Sequence, residues 1–184
     1  GILQASPNDR FDFSLNLLDA HYSQFSPQIS LGASSAAEVA RLTAQGLTAT
    51  PAFAADGTTL VSTTITQDWS GRDLDRAPQV TASAGYTHTF DLGNGGTIDA
   101  GVRSRLSSRY QLAAIATLNQ FEQPYYTKTD VTLTYNDPDD RYYVQGYAKN
   151  LEDEITISSV STGLFARTRL GDPRTYGIRA GFDF

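Results

Sequence analysis

Side chains that could do chemistry are few and widely spaced. His21 and His88 are the two histidines and there is no cysteine, which removes thiolate metal ligands, disulfides and cysteine nucleophiles. A lone histidine among aromatic residues reads as an amphipathic surface position, so neither a metal nor a cofactor is expected. Acidic groups gather at Asp139-Asp140 and at Glu152-Asp153-Glu154, in a turn and at the start of a loop, where solvated charge is the expectation. No G-x-S-x-G, phosphate-loop or triad pattern occurs. The segment "GNGG" (93–96) joins two alternating stretches and opens no helix, so it lacks the dipole and amide cradle of a phosphate site. The chain is not expected to be an enzyme. Three cations do share a parity: Arg103, Arg105 and Arg109 fall on the polar side of one alternating stretch, where they could meet carboxylates such as Asp99 and Asp130 or an anionic partner.

The elements that carry these residues alternate with period two. "RFDFSLNLLDAHYSQF" sets Phe11, Phe13, Leu15 and Leu17 against Asp12, Ser14 and Asn16, and reads as one long strand closed by His21, Tyr22 and Phe25. "QVTASAGYTHTFDL" and "TIDAGVRSRLSSRYQL" form a hairpin about "GNGG", and "TKTDVTLTY" and "RYYVQGYAKNL" form a second about "NDPDD". The last stretch alternates as Tyr176, Ile178, Ala180, Phe182 and Phe184 against Thr175, Gly177, Arg179, Gly181 and Asp183. Short links (Pro7-Asn8-Asp9, 93–96, 136–140) alternate strictly with long ones (26–78, 114–124, 152–172), the plan of an up-and-down sheet with its short turns at one end. In the longest link, Ser35 is placed to cap a helix over "AAEVARLTAQ" that Gly46 ends.

Composition bounds the class. Of 184 residues, 40% are hydrophobic and 11% aromatic, with 15 Gly, 10 Tyr and 9 Phe, which favours one all-β domain. A net charge of −6 without a Lys/Arg run excludes a nucleic-acid surface. The longest apolar run, about Leu112 to Ala116, falls far short of the ~20 residues of a spanning helix, but alternating strands can cross a bilayer without raising mean hydropathy. Strands of roughly 10 to 15 residues with aromatics near their ends point to an antiparallel transmembrane β-barrel segment.

Two motifs carry a family resemblance. "YYVQGYAKNLEDE", with Lys149, Asn150, Leu151, Asp153 and Glu154, and "GDPRTYGIRAGFDF", with Pro173, Arg174, Tyr176, Gly177 and Phe184, resemble the penultimate and final strands of a TonB-dependent outer-membrane receptor. "RAPQVTASAGYTHTF" resembles the segment that re-enters such a barrel after a long loop. The resemblance implies that residues 1–184 are the C-terminal part of a barrel of about 22 strands, contributing six to seven of them. The plug, the TonB-contacting region and the other strands then belong to the same polypeptide or to a second chain. A chain that opens on Gly1-Ile2-Leu3 without Met is expected to be processed or partial.

The same resemblance implies uptake of a scarce solute such as a siderophore, cobalamin or a saccharide. Ligand contacts are expected in the long loops at Phe53, Trp69, Arg72, Phe121, Tyr125 and around Phe165 to Arg169, with Arg103, Arg105 and Arg109 facing the lumen. Tyr176, Ile178, Phe182 and Phe184 would form the signal read by the assembly machinery. Outer-membrane lipid and the TonB complex are the implied partners. The rival reading is a self-contained β-barrel or β-sandwich that binds or adheres without transport; a barrel hydrolase would need a Ser/His pair drawing on His21 or His88.

Overall fold

A computed structural model describes residues 1–32, 36–44, 46–112, 121–161 and 167–182. Ser35, Phe165 and Phe184, assigned roles above, lie outside the described residues. In chain order the elements are β1 (Ile2–Gln4), β2 (Asp9–Leu17), β3 (Gln28–Gly32), α1 (Ala36–Ala44), β4 (Thr48–Phe53), β5 (Leu60–Thr66), β6 (Val80–Asp91), β7 (Thr97–Ser107), β8 (Tyr110–Gln111), β9 (Glu122–Gln123), β10 (Tyr126–Asn136), β11 (Tyr142–Lys149), β12 (Ile157–Ser161), β13 (Arg167–Leu170) and β14 (Thr175–Phe182). One antiparallel seven-stranded sheet runs β1-β2-β6-β7-β10-β11-β14. Once the excursions in the long links are set aside, each strand pairs with the next in the chain, so the up-and-down order expected from the loop lengths is the one observed. The sheet is not closed; β1 and β14 are its edges.

Register makes each face continuous. Phe11, Tyr86, Val102, Val131, Ala148 and Tyr176 form one cross-strand row from β2 to β14. Phe90, Ile98, Tyr135, Val144 and Ala180 form another nearer the short turns. The rows between them hold Thr87, Gly101, Thr132, Tyr147 and Gly177, or Thr89, Asp99, Thr134, Gln145 and Arg179. A slip of one residue in any strand would exchange these faces, so the alternation itself fixes the pairing.

Among the described residues the buried apolar ones are Leu42, Leu47, Ile65, Trp69, Leu112 and Phe121, and none belongs to the seven-stranded sheet. The sheet's apolar face is open instead, with Phe13 60%, Leu133 56% and Ile178 81% exposed. The small cores sit in the long links. In the first, Leu42 of α1 packs with Leu47, just before β4, and with Ile65 of β5 in the sheet β3-β5-β4, and Gly46 (φ 81°) ends the helix as its sequence implied.

Two strand expectations are corrected. The sheet strands after β1 run 8 to 12 residues and not 10 to 15, still close to the ~9–11 that a tilted strand needs to cross a bilayer. The stretch from Arg10 to Phe25 is not one strand. It leaves the sheet after Leu17, because its neighbour β6 begins only at Val80 and the last shared bond is Leu18 N–H to the Gln79 carbonyl. Tyr22 and Phe25 then stack on each other with centroids 4.5 Å apart, and Tyr22 exchanges backbone bonds with Gly71 and Arg72.

At the edge, β14 presents Gly177 and Gly181 on the polar face, and β11 lays Tyr147 and Tyr143 across them. The rings occupy the space that side chains on the edge strand would fill, so they protect its ladder from water. Tyr147→Ala is expected to weaken the β11–β14 pairing by roughly 1 kcal/mol and to speed amide exchange at Arg179, which pairs beside Gly177. Unchanged exchange along β14 would contradict this role.

Candidate functional site

On the polar face, Asp12, Gly85, Arg103 and Asp130 form one cross-strand row. Arg103 donates to Asp12 at 2.8 Å, reaching over β6 at Gly85. A Cβ at Gly85 would lie 2.6 Å from Asp12 Oδ1, so only glycine lets the carboxylate lie across that strand. Arg105 comes within 3.8 Å of Asp130. Asp99, a candidate partner for these cations, instead accepts from Thr89 Oγ1 at 2.7 Å and from Asn136 Nδ2 at 2.9 Å. Arg109 leaves the group. It lies beyond the end of β7 at Ser107 and does not line the groove that Arg103 and Arg105 share.

Arg103, Arg105, Lys149 and Arg179 line a groove of about 470 Å³ with Asp12 and Asp130. Lys149, read from the sequence only as part of a family motif, and Arg179 were not among the lumen-facing candidates, although their parity with Gln145 and Tyr147 puts them on the same face. Four cations against two carboxylates leave this wall positive within a protein of net charge −6, a local field that favours an anionic group.

The long-loop end gathers the remaining candidates with different exposures. Phe53 and Tyr125 are exposed. Trp69 is 1% exposed; its Nε1 donates to Gln67 Oε1 at 2.7 Å, Tyr22 meets its ring edge-on, and the Arg72 guanidinium lies 5.1 Å from its centroid. It fastens the neck of the first long link and presents no ring face to a solute. Phe121 is buried where its carbonyl accepts from Leu112 N–H. Arg167 and Arg169 lie on exposed β13. At the edge, Tyr176, Ile178 and Phe182 share the exposed apolar side of β14.

The two motifs that carried the family resemblance meet in space. Asn150 ends β11 in the left-handed region (φ 53°), which asparagine tolerates better than most residues. Its N–H donates to Asp130 Oδ1, its amide nitrogen to the Glu154 and Asp172 carbonyls, and its Oδ1 accepts from Glu154 N–H. Asp153, also left-handed (φ 57°), accepts from Arg174 N–H at 3.0 Å, and Arg174 Nη1 donates to the Leu151 carbonyl. Glu152 accepts from Thr129 N–H at 2.7 Å and from Thr129 Oγ1 at 2.5 Å. Glu152 and Asp153 stay exposed, as expected of charge at a loop start, and also accept bonds from backbone N–H groups elsewhere in the fold. Thr129, by donating its hydroxyl and N–H, holds the Glu152 carboxyl below its ordinary value of 4.5.

No family model matches the chain, and no curated protein matches it significantly in sequence. Solved structures do. The whole chain overlays the ferric yersiniabactin uptake receptor FyuA of Yersinia pestis with a TM-score of 0.62 at 15% identity, spanning 22% of that receptor's length. The ferric preacinetobactin receptor BauA of Acinetobacter baumannii is matched over 97% of this chain and 34% of its own, at 14% identity and a TM-score of 0.47. The chain therefore has the fold of a barrel portion of such a receptor, the fold that the resemblance of its last two strands implied.

Two measurements probe the rim. Asn150→Ala removes several bonds from a buried side chain and leaves alanine at positive φ, so a loss of roughly 2–4 kcal/mol is expected in urea unfolding of the purified protein. A loss no larger than that of the exposed Asn16→Ala would contradict it. Because the folded value of Glu152 is depressed, its contribution is complete above pH 4.5 and is lost as pH falls through the lower folded value. The Thr129 amide resonance should therefore titrate below 4.5; a midpoint at or above that value would contradict the assignment.

Proposed function

We propose that this chain is part of the barrel of an outer-membrane, TonB-dependent receptor that takes up a scarce solute such as a siderophore, cobalamin or a saccharide. The observation that supports the reading best is the open apolar face. A soluble sandwich would cover Phe13, Leu15, Leu133 and Ile178 with a second sheet, and among the described residues nothing covers them. A bilayer supplies the missing cover, and the polar wall then faces the lumen. In this reading Arg103, Arg105, Lys149 and Arg179 meet a plug domain, carried by the same polypeptide or by a second chain, or an anionic solute on its way inward. Phe53, Arg72, Tyr125, Arg167 and Arg169 stand at the extracellular side, and energy arrives from the TonB complex through the plug. The apolar side of β14, with Phe184 beyond it, serves as the assembly signal and as the seam with the first strand of the barrel.

Energy coupling is tested by uptake in cells carrying the whole protein, offered labelled ferric siderophores, cobalamin and oligosaccharides with and without a protonophore. Uptake of one solute that stops with the protonophore supports the reading; uptake that continues unaltered makes the protein a passive pore and overturns it. The assignment of faces has its own test. Leu133→Arg puts a charge on the lipid side and should cost roughly 2–4 kcal/mol near the bilayer midplane, whereas Thr132→Arg on the wall should be mild. Equal losses of assembled protein would contradict the assignment.

A further inference from the structure

The polar face carries a second cavity, nearer the long links than the groove of Arg103 and Arg179. Its volume is about 380 Å³, at the small end of the ~300–1,000 Å³ range of ligand sites. Ser14, Ser83, Arg105, Ser107, Tyr126 and Lys128 line it, with no carboxylate. Strand pairing builds it. Ser14 pairs with Ser83, Ser83 with Arg105, and Arg105 with Lys128, so these four form one cross-strand row. The neighbouring row of Asp12, Gly85, Arg103 and Asp130 alternates in sign and satisfies itself through the Arg103–Asp12 bond. The row of Arg105 does not. It sets two cations directly opposite each other on adjacent strands, an arrangement that costs stability.

Local partners do not offset that pairing. Lys128 Nζ donates to Thr156 Oγ1 at 3.0 Å and to the Asp172 carbonyl at 3.4 Å, both neutral acceptors, and it forms no ion pair among the described residues. An ammonium has three protons, so one is left over. Among the described residues, the carboxylate that Arg105 approaches is Asp130, at 3.8 Å, and Asp130 already accepts the Asn150 N–H. With its side chain 62% exposed, Arg105 can turn to a better acceptor. The Ser14 and Ser83 hydroxyls bond each other at 2.8 Å; whichever donates, the other keeps its proton for a further acceptor. A guanidinium fork, an ammonium and a hydroxyl thus border one cavity as donors. What complements them is a group with several acceptor oxygens and a negative charge, a phosphate or a carboxylate.

We propose that this cavity seats an oxyanion of the incoming solute, a phosphate or a carboxylate, with Arg105 and Lys128 supplying the charge and the Ser14–Ser83 pair a hydroxyl donor. The row lies within a few residues of the long-link ends of β2, β6, β7 and β10, so a solute entering from that side reaches it before the wall of Arg103 and Arg179. The proposal rests on the transport reading above and narrows it: the solute carries an acidic group, which an uncharged oligosaccharide lacks.

The test is equilibrium dialysis of the whole protein in detergent against radiolabelled inorganic phosphate and, separately, radiolabelled citrate. At least one should bind, and the tighter of the two identifies the oxyanion as phosphate or carboxylate. Arg105→Gln and Lys128→Met should each weaken that binding by about tenfold or more, and Lys128→Arg, which keeps the charge, should retain most of it. Lys128→Met also gives up two neutral hydrogen bonds. Arg105→Gln gives up none among the described residues and so separates lost charge from lost structure. Failure of both anions to bind, or binding that survives both charge-removing substitutions, overturns the proposal. Protonophore-sensitive uptake by the same protein would then leave the transport reading standing, whereas uptake indifferent to the protonophore overturns the reading on which the site rests.

Discussion

A single constraint organises this molecule: a sheet that alternates apolar and polar side chains must place its apolar face against something other than water. Phe13, Leu15, Leu17, Leu133, Ile178 and Phe182 are all exposed on that face. At ~1.5–3 kcal/mol for each side chain, the six are worth roughly 9–18 kcal/mol, comparable to the ~5–15 kcal/mol net stability of a whole domain. Among the described residues no packing recovers this, because the buried apolar ones all lie in the links. The surroundings complete the fold, and the same face that demands a hydrophobic environment leaves the opposite one free to carry Arg103, Arg105, Lys149 and Arg179.

The ends of the strands divide labour in a way that follows from this arrangement. At the short-turn end, chain reversal is compact: Gly95 (φ 89°) allows the 92–96 turn, and Asp137 beside Arg141 holds the next one. At the other end the links grow into small packed bodies with their own cores, α1 over β3-β5-β4 in one and the Trp69 neck beside it. At that same end, the Asn150–Asp153–Arg174 junction ties the exit of β11 to the entry of β14. This explains why a strand end and a later strand start carry a recognisable sequence pattern. The residues are fixed by the backbone groups that each must satisfy.

Much of the fold was legible because its determinants are local. Period-two alternation, the turn at 93–96, the turn after Asn136 and the helix ended by Gly46 all depend on neighbouring residues alone. The failures share one cause. Phe25 continues an aromatic pattern and Arg109 continues a parity, but a strand ends where its partner ends, and the start of β6 at Val80 is not announced in either segment. Burial in loops was equally hidden: Trp69 is covered by Tyr22, Phe25 and Arg72, which lie apart from it in sequence or offer no pattern pointing to it. That Glu152, an exposed charge, also binds Thr129 was hidden because Thr129 stands on another strand.

The central claim is that one face of this sheet meets lipid and the other does not, and β10 tests it most directly. The chain contains no cysteine, so single cysteines introduced along Tyr126–Asn136 of the membrane-inserted protein, each labelled with a fluorophore, report one position at a time. The account predicts that a lipid-borne quencher acts at 131, 133 and 135 while a water-borne quencher acts at 130, 132 and 134. Quenching by lipid that does not alternate, or that favours 130, 132 and 134, would contradict it.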